Sequence, residues 1–258
     1  MCDKGKRIRL CRKGFAGQPV NHYFISDVHL YPAGRDHPGR EPLKKFLLEL
    51  VGGEPGALWI LGDLFDYWFE YSTVIPLGFT DILCLLRNLS DSGWKVFFIP
   101  GNHDWWCGNH LSSETGMKII FTTTFNAVID GRKTLMAHGD GLGKGDSGYR
   151  LIKPVMRSAW ARLLFSTLHP ALATGIARRF SNTSRRILRK QVDSVPEYLS
   201  QWAASQSENG TELVITGHTH CPSIVKHGNL LHASLGDWIS HFTYLKVGGG
   251  EINLHEYR

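Results

Sequence analysis

The sequence predicts an α/β protein, and three observations carry that prediction. Short apolar runs stop abruptly at a glycine or an acid, as Ala57-Leu58-Trp59-Ile60-Leu61 does before Gly62-Asp63. Segments with helical spacing alternate with these runs in the first part of the chain. Beyond them come short β-rich runs with turn signals, interrupted by one long amphipathic helical stretch. A buried strand that delivers a polar side chain at its C-terminal end is how an open α/β sheet presents chemistry to solvent.

In order, Asn21 to Ser26 reads as a buried strand ending at Asp27. Pro42 to Gly52 reads as a helix, with Leu43, Phe46, Leu47 and Leu50 on one face. With Ala57–Leu61 it makes a β-α-β unit, hence a parallel pair. A second helix is expected over Thr80–Leu89, with Leu83, Leu86 and Leu89 or their neighbours inward, then a strand at Lys95–Ile99 stopped by Pro100-Gly101. Lys118–Thr123, Phe125–Ile129 and Lys133–Ala137 are β-rich, and Asp130-Gly131 is a hairpin turn signal. From Tyr149 to about Trp202 the pattern is helical, with Trp160, Leu163, Leu164, Leu168, Leu172, Ile176 and Phe180 as apolar positions. Strands return at Leu213–Thr216, Ser223–Lys226, Leu230–Ala233, Phe242–Val247 and Glu251–His255.

This divides the chain into a basic tail (1–18), a core (19–145 and 205–258) and a helical insertion (146–204). The tail has no apolar stretch after its cations, so it does not read as a secretory signal. No window is apolar for long enough to span a membrane. Five cysteines, without a CxxC pair, argue against a disulfide framework or zinc knuckle and for a reducing, cytoplasmic setting. The net charge of +6 is local: ten Lys and Arg, and no acid, lie between Ser147 and Val192, so the rest of the chain is net acidic. A segment of that kind suits an anionic ligand or surface, or is a solvated helical face.

Five segments repeat one design, an apolar strand followed by a hard metal-binding side chain. They are Asp27-Val28-His29, Gly62-Asp63, Gly101-Asn102-His103-Asp104, Ala137-His138-Gly139 and Gly217-His218-Thr219-His220. Each alone is a weak signal. Oxygen and imidazole donors without thiolate suit Mn²⁺, Fe²⁺, Zn²⁺ or Mg²⁺. Of the histidines outside these segments, seven read as structural, while His241, after Gly236-Asp237-Trp238, is a candidate to line the site that is left outside the ligand set.

Taken together and in this order, the five segments resemble the calcineurin-like metallophosphoesterase superfamily. The resemblance implies a four-layer sandwich of two mixed β-sheets flanked by helices, with a helical cap inserted. It also implies two divalent ions, Mn²⁺ being the expected metal. Asp27, His29, Asp63 and His220 would hold one ion; Asn102, His138 and His218 would hold the other, with Asp63 shared. His103 would contact or protonate the phosphoester, with Asp104 orienting it, and Asp66 would support a ligand or loop.

A finer resemblance is to the UDP-2,3-diacylglucosamine diphosphatase family of lipid A synthesis. It rests on Ile60–Asp66 with Tyr67-Trp68-Phe69, on His138–Leu142 with Asp146–Tyr149, on the basic insertion, and on Leu235-Gly236-Asp237-Trp238. It implies a lipid-linked UDP-sugar substrate, hydrolysed to UMP and 2,3-diacylglucosamine 1-phosphate. Asn102, His103, Asp146, Ser184, Arg185 and His218 would contact that substrate. The cap would enclose acyl chains and touch the cytoplasmic face of the inner membrane, with Trp160, Leu164, Phe165 and Leu168 interleaved with Arg157 and Arg162; the plainer reading is that this stripe packs the cap on the core. His103 departs from the pattern, since the best-known members carry Arg there. The alternatives are a phosphodiesterase, nuclease or phosphatase on the same scaffold, and a non-catalytic scaffold. Few stacking aromatics lie in the insertion, which speaks against nucleic acid.

Overall fold

The computed structural model describes residues 20–145, 147–177, 179 and 194–258. The basic tail, Asp146, Ser184 and Arg185 lie outside the described residues.

Strand β1 (His22–Ile25) leads to helix α1 (Arg40–Gly52), which buries Leu43, Phe46, Leu47 and Leu50, the face its spacing predicts. Strand β2 (Ala57–Ile60) pairs parallel to β1, with Phe24 beside Trp59 and Ile25 beside Ile60. Helix α2 (Thr80–Asp91) buries Ile82, Leu86 and Leu89. Strand β3 (Lys95–Phe98) extends the parallel run beyond β2, and the short β4 (Lys118–Ile119) closes that edge. The β-run expected to reach Thr123 stops at Ile119. Beyond it Thr122 turns back on itself, its hydroxyl donating to the Thr124 carbonyl at 2.6 Å.

Helix α3 (Asn109–Thr115) has no counterpart in the sequence pattern. Its start is held from elsewhere in the chain: the Glu70 carboxylate accepts the amides of Gly108, His110 and Leu111 at 2.8–3.1 Å. An acid placed over the unsatisfied amides of a helix start does the work of a local cap.

Strands β5 (Phe125–Ile129) and β6 (Arg132–Ala137) form the expected hairpin. Asp130 and Gly131 both have positive φ (49° and 80°), as its two-residue turn requires. Helices α4 (Ser147–Met156) and α5 (Ala159–Ser166) follow, Ser158 capping α5 by accepting from the Ala161 amide at 3.1 Å. After the helix Glu197–Ser205 come β7 (Leu213–Thr216), β8 (Ser223–His227), β9 (Leu230–Ser234), β10 (Thr243–Gly248) and β11 (Glu251–Glu256).

Two mixed sheets result, ordered β11-β10-β1-β2-β3-β4 and β5-β6-β7-β9-β8. Phe24, Trp59, Leu61 and Ile99 from the first meet Met136, Leu213, Ile215 and Ala233 from the second in an apolar interlayer. Helices α1 and α2 cover the outer face of the first sheet through Phe46, Leu47, Ile82 and Leu86. On the other side Leu135, Val214 and Leu230 receive Ala203 of the helix Glu197–Ser205. Helix, sheet, sheet, helix are the four layers predicted.

The cap helices are less buried than their periodicity suggests. Trp160 is 80% exposed, Leu164 71%, Leu172 63% and Leu163 58%. Phe165, by contrast, is seated in an aromatic cradle, its ring centroid 4.8 Å from Trp106 and 5.1 Å from Phe69. Among the described residues no helix is long and apolar enough to cross a membrane.

Candidate metal centre

The first four β-strand ends on this side of the molecule, those of β1, β2, β3 and β6, each carry one of the sequence motifs, and β7 carries the fifth. Parallel pairing of β1, β2 and β3 in one sheet, and of β6 and β7 in the other, puts the ends of each set on one edge of its sheet, and the donor distances bring the two sets together. The side chains are delivered by backbone that departs from the strand sharply. Among the described residues, seven non-glycine residues have positive φ, and five of them are Asp27, His29, Asp63, His218 and His220, at 52° to 70°. Non-glycine residues in that region cost energy and persist where the surroundings hold them. Gly101 is a glycine for a related reason, since a Cβ there would run into the Asp63 carboxylate.

Each carboxylate spends one oxygen on the backbone and turns the other inward. Oδ2 of Asp27 accepts the Ser26 hydroxyl and, at 2.7 Å, the His218 amide. Its Oδ1 faces His220 Nε2 at 3.6 Å and His29 Nε2 at 3.7 Å. Oδ1 of Asp63 accepts the His103 amide at 3.0 Å. Its Oδ2 stands 3.3 Å from His138 Nε2, 3.7 Å from His29 Nε2 and 3.8 Å from His103 Nε2. Asn102 Oδ1 lies 3.2 Å from His138 Nε2.

The rings are oriented from behind. His138 Nδ1 lies 2.8 Å from the Leu61 carbonyl, which only accepts, so that nitrogen carries the proton and Nε2 is left for the centre. His220 Nδ1 donates to Asp237 Oδ2 at 3.0 Å with the same consequence. Donor atoms of Asp27, His29 and His220 fall within 4.8 Å of one another, as do those of Asp63, His138 and His218, and those of His29, Asp63 and His103.

The charges ask for cations. Burial opposes ionisation of Asp27 and Asp63, yet His220 and His29 hold Asp27 low, and His138 and His103 hold Asp63 well below the ordinary carboxylate range. Burial likewise opposes a charge on His138, but Asp63 raises it to about 10. Burial and the neighbouring His138 push His218 down to about 4, and burial keeps His29 low as well. Asp27 Oδ1 and both ring nitrogens of His29 are buried without a hydrogen-bond partner among the described residues. Buried polar atoms without partners are costly, and a divalent ion at this point would satisfy Asp27 Oδ1 and His29 Nε2 together. The donors, carboxylate, amide oxygen and imidazole, fit hard to borderline divalent metals.

All seven expected ligands, and His103, therefore meet at one place. Asp104 is placed differently from expectation. Its carboxylate, fully buried, accepts the amides of Gly101 (2.8 Å), Leu64 (2.8 Å), Asp63 (3.3 Å) and Phe65 (3.4 Å). It ties the Asp63 loop to the Asn102 loop, and the His103 ring is oriented instead by Asp66, whose carbonyl accepts its Nδ1–H at 2.9 Å. Burial and Asp63 raise Asp104 to about 7. Two acids that the sequence motifs left without a role sit directly behind the centre. Asp237 fixes His220, and also meets Nδ1 of the half-exposed His241 at 3.3 Å. Asp140 is 2% exposed and lies two residues beyond His138. The signal for Asp237 was available, since Leu235-Gly236-Asp237 after β9 repeats the apolar-Gly-Asp pattern of Leu61-Gly62-Asp63.

The chain matches the calcineurin-like phosphoesterase family over residues 22–222. It is 32% identical to a UDP-2,3-diacylglucosamine hydrolase of Porphyromonas gingivalis over 90% of this chain and 95% of that protein. A protein of the same name from Neisseria meningitidis serogroup C is 32% identical over 88% of this chain and 94% of its own length. One from Haemophilus influenzae is 29% identical over 85% and 91%. The family match runs from β1 to just past His220 and so takes in every strand end that builds the centre; this chain belongs to the calcineurin-like phosphoesterase family.

Proposed function

We propose that the chain hydrolyses the pyrophosphate of UDP-2,3-diacylglucosamine, yielding UMP and 2,3-diacylglucosamine 1-phosphate. Water oxygen would bond to the α-phosphorus while the bond from that phosphorus to the bridging oxygen breaks, the sugar 1-phosphate leaving with the bridging oxygen. Two divalent ions, Mn²⁺ being our choice, would neutralise phosphoryl charge and lower the pKa of the attacking water. Asp27, His29, Asp63 and His220 would hold one, and Asn102, His138 and His218, with Asp63 shared, the other. Nδ1 of His103 is committed to the Asp66 carbonyl, so its Nε2 can donate to a phosphoryl oxygen only as the imidazolium. Asn102 and His218 line the same space.

The observation that carries the lipid reading is the exposed apolar face of the cap. Leu151, Ile152, Val155, Trp160, Leu163 and Leu164 are each more than half exposed, on two helices that also bear the exposed Arg150 and Arg162. Aliphatic surface beside cations suits acyl chains and phosphates, and the cytoplasmic face of an anionic membrane, better than it suits a nucleic-acid strand. Asp146, Ser184 and Arg185 complete the substrate contacts in this reading. The test is to assay UDP-2,3-diacylglucosamine, bis-p-nitrophenyl phosphate and DNA in parallel with Mn²⁺. UMP release from the lipid should dominate, and a preference for DNA would overturn the proposal.

A further inference from the structure

We infer that Arg157 and Asp140 are a positioning pair that joins the loop of His138 to the loop of Asn102, so that the base of the cap sets the spacing of the ligands to one of the two ions. The inference rests on the metal-pair reading of the site but not on the identity of the phosphoester.

Asp140 leaves β6 two residues after His138. Its Oδ2 takes the Tyr149 hydroxyl at 3.0 Å, Lys153 Nζ at 2.9 Å and Arg157 Nη2 at 2.9 Å, all from α4 or the residue just after it. Lys153 also donates to the Asp140 carbonyl at 2.6 Å. With side-chain exposures of 3% for Asp140, 12% for Lys153 and 13% for Arg157, these are desolvated charges whose geometry is fixed by one another. The link between Asp140 and the ligands is short. Gly139 (φ 124°) passes so close to the neighbouring loop that a Cβ would lie 3.0 Å from the Gly217 carbonyl and 3.1 Å from His218 Cβ.

Arg157 does something Lys153 does not. Its guanidinium lies 3.5 Å from the ring centroid of Trp105. Trp105 directly follows Asn102-His103-Asp104, and Asp104 holds that turn rigidly to Gly101, Asp63, Leu64 and Phe65. The planar guanidinium thus binds the His138 loop by charge and the Asn102 loop by stacking, a combination that an ammonium group cannot reproduce. The two loops meet at the centre, where Asn102 Oδ1 and His138 Nε2 are 3.2 Å apart. Groups that hold ligands in place typically change metal affinity by about 10- to 100-fold when removed.

The test titrates Mn²⁺ into the metal-free, full-length protein and follows both ions by calorimetry and electron paramagnetic resonance. Arg157→Lys and Trp105→Leu should each weaken one of the two ions about tenfold and leave the other unchanged. The double variant should be no weaker than the singles, because one bridge is removed twice. Lys153→Met, which takes a charge from Asp140 without touching Trp105, should bind both ions as wild type does. Should Trp105→Leu lose its fold, Trp105→Phe keeps an aromatic plate and must bind normally while Arg157→Lys does not. Two wild-type affinities in Arg157→Lys, additive losses in the double variant, or an equal loss in Lys153→Met would each overturn the inference. A wild-type protein that fails to take up two Mn²⁺ ions overturns the metal centre itself, and is told apart by that result.

Discussion

Nδ1 of His220 donates to Oδ2 of Asp237 across 3.0 Å, while the other oxygen of Asp237 accepts the amides of Ile239, Ser240 and His241. The carboxylate is therefore pinned by the turn after β9 and in turn pins the ring. Burial works against its charge, but the bond from His220 and these amides hold its pKa far below the ordinary value. Asp237→Asn should rotate or retautomerise His220 without removing a ligand. Mn²⁺ affinity is expected to fall about 10- to 100-fold, with partial rescue of hydrolysis at high Mn²⁺. Unchanged affinity would mean that His220 does not bind metal through Nε2.

Asp63 differs from every other proposed ligand in that one oxygen faces His29, His103 and His138 together. Losing it should dismantle the pair, whereas losing His220 should empty one side. Asp63→Ala is expected to retain neither ion and to lower kcat/KM by about 10³-fold or more. Metal content of the purified variants, set beside UMP release, separates the two outcomes; an Asp63→Ala protein that still hydrolyses substrate would sink the two-metal mechanism.

Asp104 is a buried acceptor for four amides on two loops. An asparagine of the same shape would turn an NH₂ group toward backbone donors and leave at least one of them unpaired. Asp104→Asn should cost about 3 kcal/mol in urea unfolding of the metal-free protein. Because the damage is structural, it should appear without metal or substrate present. A stability loss seen only in the metal-loaded protein would point to a role in ligand chemistry instead.

The sequence carried the strand ends and their ligands because both are local. An apolar run, a glycine and a hard donor are contiguous, and the direction of a parallel sheet does the rest. What escaped it was held by partners distant along the chain. Helix α3 begins under Glu70, about forty residues earlier in the chain, and no capping residue precedes it. His103 looked as though its neighbour Asp104 would orient it, but the chain turns so that Asp104 faces amides and Asp66 meets the ring. The cap stripe was legible as helix yet misleading as core, since periodicity reports an apolar face and not what covers it.

Two histidines away from the centre tie stability to pH. His22 Nδ1 accepts the Trp59 indole N–H at 3.2 Å, so the ring must be neutral there; burial depresses it to about 4. His232, 2.9 Å from the Thr216 hydroxyl, is lowered to about 4 by burial and by His227. Both take up protons more readily when unfolded, so stability is full above about 6.5 and falls as pH drops toward 4. Each should contribute on the order of 1–3 kcal/mol to that fall. Urea unfolding with chelator at pH 7 and pH 5 should show it. His232→Gln should flatten the slope, and an unchanged slope would place the acid sensitivity elsewhere.

The exposed cap residues separate substrate recognition from stability. Trp160 (80% exposed) and Leu164 (71%) make little contact with the core, so replacing both with serine should leave the melting temperature within a degree or two. Each side chain offers apolar area that an acyl chain could cover, worth roughly 1.5–3 kcal/mol if fully buried. In the lipid reading, the double variant should raise KM for UDP-2,3-diacylglucosamine by about tenfold or more, while its rate on bis-p-nitrophenyl phosphate, which has no chain to bury, stays the same. Phe165→Ala is the contrast. Its ring sits against Trp106 and Phe69, so it should lower both stability and turnover of either substrate. Equal losses on both substrates from the serine variant would make this face structural. The lipid specificity would then have to come from some other part of the cap.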